Sequence, residues 1–271
     1  MCFIGRSLKQ PPNLPIGRAI VNRRTGQIVG PIAPIAAEDW PYQSIADSEI
    51  LWRYMELPKF EDMLKTSTLY FARPDRFDDP FEGRESPGNT EKVSKSDEIF
   101  RCLYKMQKPK DWENSQEMMR QVVFISCWHR NTRESWQMWR AYTKTSNSVV
   151  IATSAKALRL FVPNDIKKSA VKYAPLDFPR TEFSHLSLFF YKPSRYIIER
   201  EYRLLRAPGE DESFCIDDPA DFYRSIPIKT KKIVRRVITH PNATRTTKQR
   251  VDELLRDYLQ CRRREDSALE L

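Results

Sequence analysis

The chain has 271 residues, 40% apolar and 30% charged, which is a globular composition long enough to bury a sizeable core. Its 46 basic residues outnumber 36 acidic ones, a formal net charge of +10 that favours an anionic partner. No apolar run approaches membrane-spanning length, the first residues lack the apolar core of a secretory signal, and five scattered cysteines form no CxxC pair. With only three separated histidines, these features argue against a membrane protein, a zinc ribbon or a histidine-built metal site, and for a cytoplasmic chain.

Residues 1–48 hold six of the 19 prolines and four of the seven glycines. Proline lacks a backbone donor and glycine weakens regular structure, so this stretch reads as an extended or looped arm. A folded domain is expected over 49–243, with a basic helix over 244–271 packed on it. Within the domain, residues 50–55 (ILWRYM) read as a strand, Pro58 opens a helix with Phe60, Met63 and Leu64 on one face, and residues 68–72 (TLYFA) form a second strand. The next segment, through Asp78-Asp79-Pro80-Phe81-Glu82, carries the signals of a loop. A helix is expected around Asp97 to Lys105, and a strand over Gln121 to Trp128.

Asn131 and Glu134 have capping-box spacing ahead of a helix. Trp136, Trp139 and Tyr142 repeat on one face of it, opposite Arg133, Gln137, Arg140 and Lys144. A strand over 148–153 and a short helix over 154–161 follow. Residues 163–195 carry no clear pattern. Residues 196–205 (YIIEREYRLL) read as a strand or a helical turn running into one, and 232–239 as another strand. Val251, Leu254, Leu255, Tyr258 and Leu259 mark an amphipathic helix ending in Arg262-Arg263-Arg264. Strands and short helices mix without a βαβ rhythm, and no glycine-rich turn follows a strand. The fold class is therefore α+β.

Three constellations can carry chemistry. On a strand, Glu199, Glu201 and Arg203 would share a face, where paired carboxylates raise each other's pKa unless a cation intervenes. Such a pair can hold a ribose hydroxyl and stabilise positive charge at an anomeric carbon; the plainer reading is a surface salt bridge. Asp78, Asp79 and Glu82 form a ligand loop, or a turn whose phenylalanines anchor it to the core; no fourth ligand supports a metal there. Trp139 and Tyr142 pack a core, with polar edges within reach of a cleft. Cys127 lacks a nearby base, which argues against a cysteine–histidine hydrolase. Between Phe222 and Leu271, 13 Lys/Arg face six Asp/Glu, a net of +7 and a footprint for nucleic acid or an acidic protein.

The ordered blocks Leu51-Trp52-Arg53-Tyr54, Phe77 to Glu82, Ser126-Cys127-Trp128, Glu134 to Tyr142 and Glu199 to Arg203 resemble a bacterial domain family of unknown function, over about residues 50–240. More distantly they resemble the ADP-ribosyltransferases. That resemblance implies a split mixed or antiparallel sheet with flanking helices, and NAD as co-substrate. Arg53, with Tyr54 beside it, matches the first-strand position that holds the adenosine side of NAD. Tyr70 and Phe71 match the aromatic that stacks on nicotinamide, and Ser126 the serine of one branch. Glu201 corresponds to the catalytic glutamate and Glu199 to the residue that positions the acceptor. Asp79, Glu82, Trp139, Tyr142 and Arg203 would line the substrate side. Arg53 departs from the histidine many members carry, and the Asp78 to Glu82 loop has no counterpart.

The implied activity is that of a bacterial cytoplasmic toxin or phage-defence effector modifying nucleic acid or, as the second choice, protein, with an antitoxin or regulator as a further partner. The alternatives are a non-catalytic nucleic-acid-binding module and a protein-interaction domain using the Pro-rich arm.

Overall fold

The computed structural model describes residues 19–21, 28–31, 43–84, 109–175, 186–207, 218–260 and 262–269. The helix expected around 97–105 lies outside them. In the arm, β1 (Ala19–Val21) and β2 (Ile28–Pro31) pair as an antiparallel hairpin. Then β3 (Ile50–Glu56) runs into α1 (Leu57–Thr66), where Pro58 sits in the first turn and Leu57, Phe60, Met63 and Leu64 form the buried stripe. Ser67, in the left-handed region at φ 53°, ends α1 and turns the chain into β4 (Thr68–Ala72).

Helix α2 (Pro109–Val122) precedes β5 (Phe124–Arg130), so the strand expected from Gln121 starts later. The remainder is α3 (Trp136–Tyr142), β6 (Ser148–Ser154), α4 (Ala155–Phe161), β7 (Lys167–Ala170), β8 (Lys172–Ala174) and β9 (Tyr191–Pro193). After these come β10 (Glu201–Arg206), β11 (Tyr223–Pro227), α5 (Thr230–Ile233), β12 (Arg236–Thr239), α6 (Arg245–Leu254) and β13 (Arg264–Glu265). The strand expected from Lys232 is thus one helical turn and then β12. Capping at α3 also differs from its sequence pattern: Ser135 is the N-cap residue and makes no side-chain cap bond. Glu134 turns inward, accepting from Trp139 Nε1 at 2.8 Å and from Ala268 N at 2.7 Å.

Nine of the strands form one mixed sheet, and its pairing makes it fork. One edge of β5 pairs along its length with β10, which continues to β7. The other edge is shared. Ile125 pairs with Ala72 of β4, while His129 and Arg130 pair with Trp52 and Leu51 of β3. Beyond that shared edge one limb is β4–β11 and the other is β3–β6–β12–β13, with only β12–β13 parallel.

Alternation along the strands gives the sheet two faces. Leu51, Met55, Val149, Ile151 and Leu204 turn to a large core closed by Phe60 of α1, Leu158 of α4, Ile233 of α5 and Leu254 of α6. Each such fully buried side chain stabilises the fold by about 1.5–3 kcal/mol. Trp52, Tyr54, Val150, Ala152 and Ile238 turn the other way, to a smaller core under Met138 and Trp139 of α3. No described helix is long and apolar enough to cross a membrane.

Candidate functional site

The register fixes which residues share the α3 face. Trp52 lies opposite His129, and His129 opposite Glu201, so these three form one row across β3, β5 and β10. Arg203 lies opposite Cys127 in the next row. Tyr70 is two residues from Ala72, which pairs with Ile125, so Tyr70 shares this face too.

Glu199 reaches the same place by another route. It is not in a strand: residues 194–199 form a 3-10 turn, and Arg200 adopts φ 43° before β10 begins. The reading of Glu199, Glu201 and Arg203 as one strand face is corrected to this extent. Two bonds hold the bend. Arg130 N donates to Arg200 O at 2.9 Å, and His129 Nδ1 donates to Glu199 O at 2.7 Å. Since a carbonyl only accepts, His129 carries its proton on Nδ1.

A closed ionic cluster results. Arg203, fully buried, meets both oxygens of Glu82, with Nη2 to Oε2 at 2.8 Å, and donates through Nε to Glu201 Oε2 at 2.5 Å. Its Nη1 also donates to Phe189 O. Lys192 Nζ donates to Glu201 Oε1 at 2.7 Å and to Glu199 Oε2 at 2.5 Å, and stands 3.9 Å from Glu82 Oε2. Glu201 N donates to the Tyr173 hydroxyl at 2.8 Å. Three carboxylates thus face two cations, one negative charge too many for a buried site. A proton on Glu199 removes the excess. Burial, a hydrogen bond with Glu201 and the charge of Glu201 raise the Glu199 carboxyl to about 8. Burial also pushes on Glu201, but Arg203, Glu199 and Lys192 outweigh it and hold that carboxyl well below its ordinary value. Environment therefore assigns opposite charge states to two neighbouring acids. Glu199 is the member that opens outward: its side chain is 17% exposed, against 0–8% for the other four.

Tyr142 borders the cluster from α3. Burial pushes its phenol up, with Glu201 and Glu199 adding to the effect, while 43% of the residue stays exposed. Tyr70, 45% exposed, stacks on Tyr223 with ring centroids 5.2 Å apart. Cys127 has its thiol pushed up by burial and by Glu201, which makes it a poor nucleophile.

Arg53 stands in the fork. Its register partner Ile151 belongs to the large-core face, yet Arg53 Nη2 donates across to Tyr70 O at 2.8 Å. Among the described residues Nη1 is buried without a partner, and no carboxylate pairs with this guanidinium. Burial draws its pKa down to about 10. The other expected cofactor residues are less open. Tyr54 is buried, its hydroxyl accepting from Ser135 N at 2.7 Å and its ring edge-on to Trp139 at 5.0 Å. Phe71 is sealed in the large core, because alternation sends it away from Tyr70. Ser126 lies opposite Leu204, on the face away from Glu201, and its buried Oγ has no partner. Trp139 is fully buried in the small core.

The Asp78 to Glu82 loop splits its roles. Asp79 Oδ1 accepts from Phe81 N at 3.0 Å as a turn, and Glu82 is committed to Arg203. Among the described residues no group of three His, Cys, Asp or Glu side chains is arranged to hold a metal. Sequence reasoning missed Lys192, which lies in the segment without a pattern, and His129, whose role depends on a backbone carbonyl 70 residues away.

No family model matches the chain, and no curated protein matches it. Solved structures of Thermus sp. 2.9 DarT resemble it distantly. The complex with carba-NAD+ gives 10% identity and a TM-score of 0.37, covering 82% of this chain and 97% of that one. The complex with ADP-ribosylated ssDNA gives 8% and 0.37, covering 83% and 96%. The complex with NAD+ gives 9% and 0.34, covering 83% and 96%.

Proposed function

We propose that this chain is an NAD-dependent ADP-ribosyltransferase acting on nucleic acid. The observation that carries the reading is the pair of carboxylates on one lysine, Glu201 buried between Lys192 and Arg203 and Glu199 at the outer edge of the cluster. A cleavage of the N-glycosidic bond of NAD develops positive charge at the ribose anomeric carbon. An anion held in a low-dielectric setting stabilises that charge far better than one in water. Glu201, supported by Lys192 and Arg203, is such an anion.

In the transfer, nicotinamide leaves with the bonding electron pair and becomes neutral. The acceptor's nitrogen or oxygen forms the new bond to the anomeric carbon. Its proton passes to Glu199, which accepts it once ionised and lies near the useful range for that role. Arg53, a cation with no carboxylate partner among the described residues, suits the diphosphate, and exposed Tyr70 on the same face as Glu201 suits the nicotinamide ring. The basic C-terminal third favours nucleic acid as acceptor.

The test is transfer itself. Wild-type protein is incubated with NAD and with DNA or RNA oligonucleotides, and the oligonucleotides are analysed by mass spectrometry. An ADP-ribose adduct absent with Glu201→Gln supports the reading. Unmodified DNA and RNA, with NAD intact, contradict it.

A further inference from the structure

From Phe222 to Val251 the chain has nine Lys/Arg and no Asp or Glu. The structure sorts eight of these cations into two groups; the ninth, Arg245, is exposed in the first turn of α6. Arg236 pairs with Glu265, Arg250 with Glu61 and Glu253, Arg224 with Asp221 and Lys248 with Asp266. Lys229, Lys231, Lys232 and Arg235, on and beside α5, are exposed and make no ion pair with any described residue. Arg262 joins them: it is exposed, and its Nε donates to Val234 O at 3.2 Å. Exposed Arg263 follows it. Six cations thus gather on and around one short helix, with no acid among the described residues paired to them.

The cations are not interleaved with exposed apolar side chains of Ile or Val. Ile228, Ile233 and Val234, the apolar residues interleaved with these cations, are buried. A protein partner is recognised around a desolvated apolar core with aromatic anchors, and a lipid surface through an apolar insertion beside its cations. A patch of cations alone matches a phosphate backbone, where counterion release supplies the affinity. Ile233 and Val234 also place it over the large core, on the sheet face opposite Glu201.

We propose that the α5 surface, formed by Lys229, Lys231, Lys232, Arg235, Arg262 and Arg263, docks the phosphate backbone of a nucleic acid on the side of the sheet away from the acid cluster. It holds the strand through phosphates rather than bases and does not depend on NAD chemistry.

Fluorescence anisotropy with labelled duplex DNA, single-stranded DNA and RNA over a salt series tests this. Six phosphate contacts on duplex DNA predict a slope of log K against log[salt] of about −5 to −6. Lys229→Gln, Lys231→Gln, Lys232→Gln and Arg235→Gln combined should flatten it by about 3 to 4 units and weaken binding, with the thermal melt unchanged. Arg133→Gln, Arg140→Gln and Lys144→Gln, on and beside α3, should leave both slope and affinity in place. Glu201→Gln should bind as wild type does, so a failure of catalysis and a failure of docking are read separately. The proposal is overturned if the α5 variant keeps the wild-type slope, or if the α3 variant loses it instead. Binding to phosphatidylserine vesicles but to none of the three nucleic acids also overturns it.

Discussion

Glu82 meets the guanidinium of Arg203 with both carboxylate oxygens, across 121 residues of sequence. The pair joins the acidic loop after β4 to the strand that carries Glu201, and both partners are fully buried. Removing one partner strands a buried charge. Glu82→Gln or Arg203→Met should therefore destabilise the protein by about 3–5 kcal/mol, read as a drop in the denaturation midpoint. A double replacement by apolar residues should recover part of that loss.

Gly83, next to Glu82, sits at φ +70°, and a Cβ there would come within 2.1 Å of the Phe189 ring. Phe189 in turn gives its carbonyl to Arg203. Gly83→Ala should cost more than about 1 kcal/mol through backbone strain and displacement of the ring. It should also disturb Arg203, so turnover should fall together with stability. An alanine variant with the wild-type melting temperature would show that loop and ring are not packed in this way.

Glu199 makes stability depend on pH in a defined direction. Its carboxyl is raised from 4.5 to about 8, so the folded chain holds a proton that the unfolded chain releases. The contribution is complete below the ordinary carboxylate value and is lost as pH rises toward about 8. Solvent screening at this part-open group limits the effect to roughly 2–3 kcal/mol. Melting temperature should fall across that window, and Glu199→Gln should flatten the fall. Turnover should rise over the same range as Glu199 ionises, and the same variant should remove that limb.

The elements with strong local signals were legible in the sequence. The helix opened by Pro58, the strands at Thr68 to Ala72 and Ser148 to Thr153, and the stripe from Val251 to Leu259 each depend on near neighbours. A helical turn running into a strand was one of the two readings of residues 196–205, and it is the one observed; the left-handed Arg200 at the junction was not legible, because it depends on bonds from β5. Nor was Lys192, a single lysine whose meaning lies in three glutamates brought to it from two other segments. The acidic loop and the Glu199 to Arg203 segment were both visible as motifs. Their union was not, since no local pattern reports a contact made through tertiary packing.

The most direct measurement is nicotinamide release from NAD by wild-type protein beside Glu199→Gln and Glu201→Gln, each shown to be folded by its thermal melt. The account predicts release by the wild type, loss of release with Glu201→Gln, and with Glu199→Gln a reduced rate without the rising pH limb. Release by folded Glu201→Gln at the wild-type rate, or none by wild-type protein with DNA or RNA present, would contradict it.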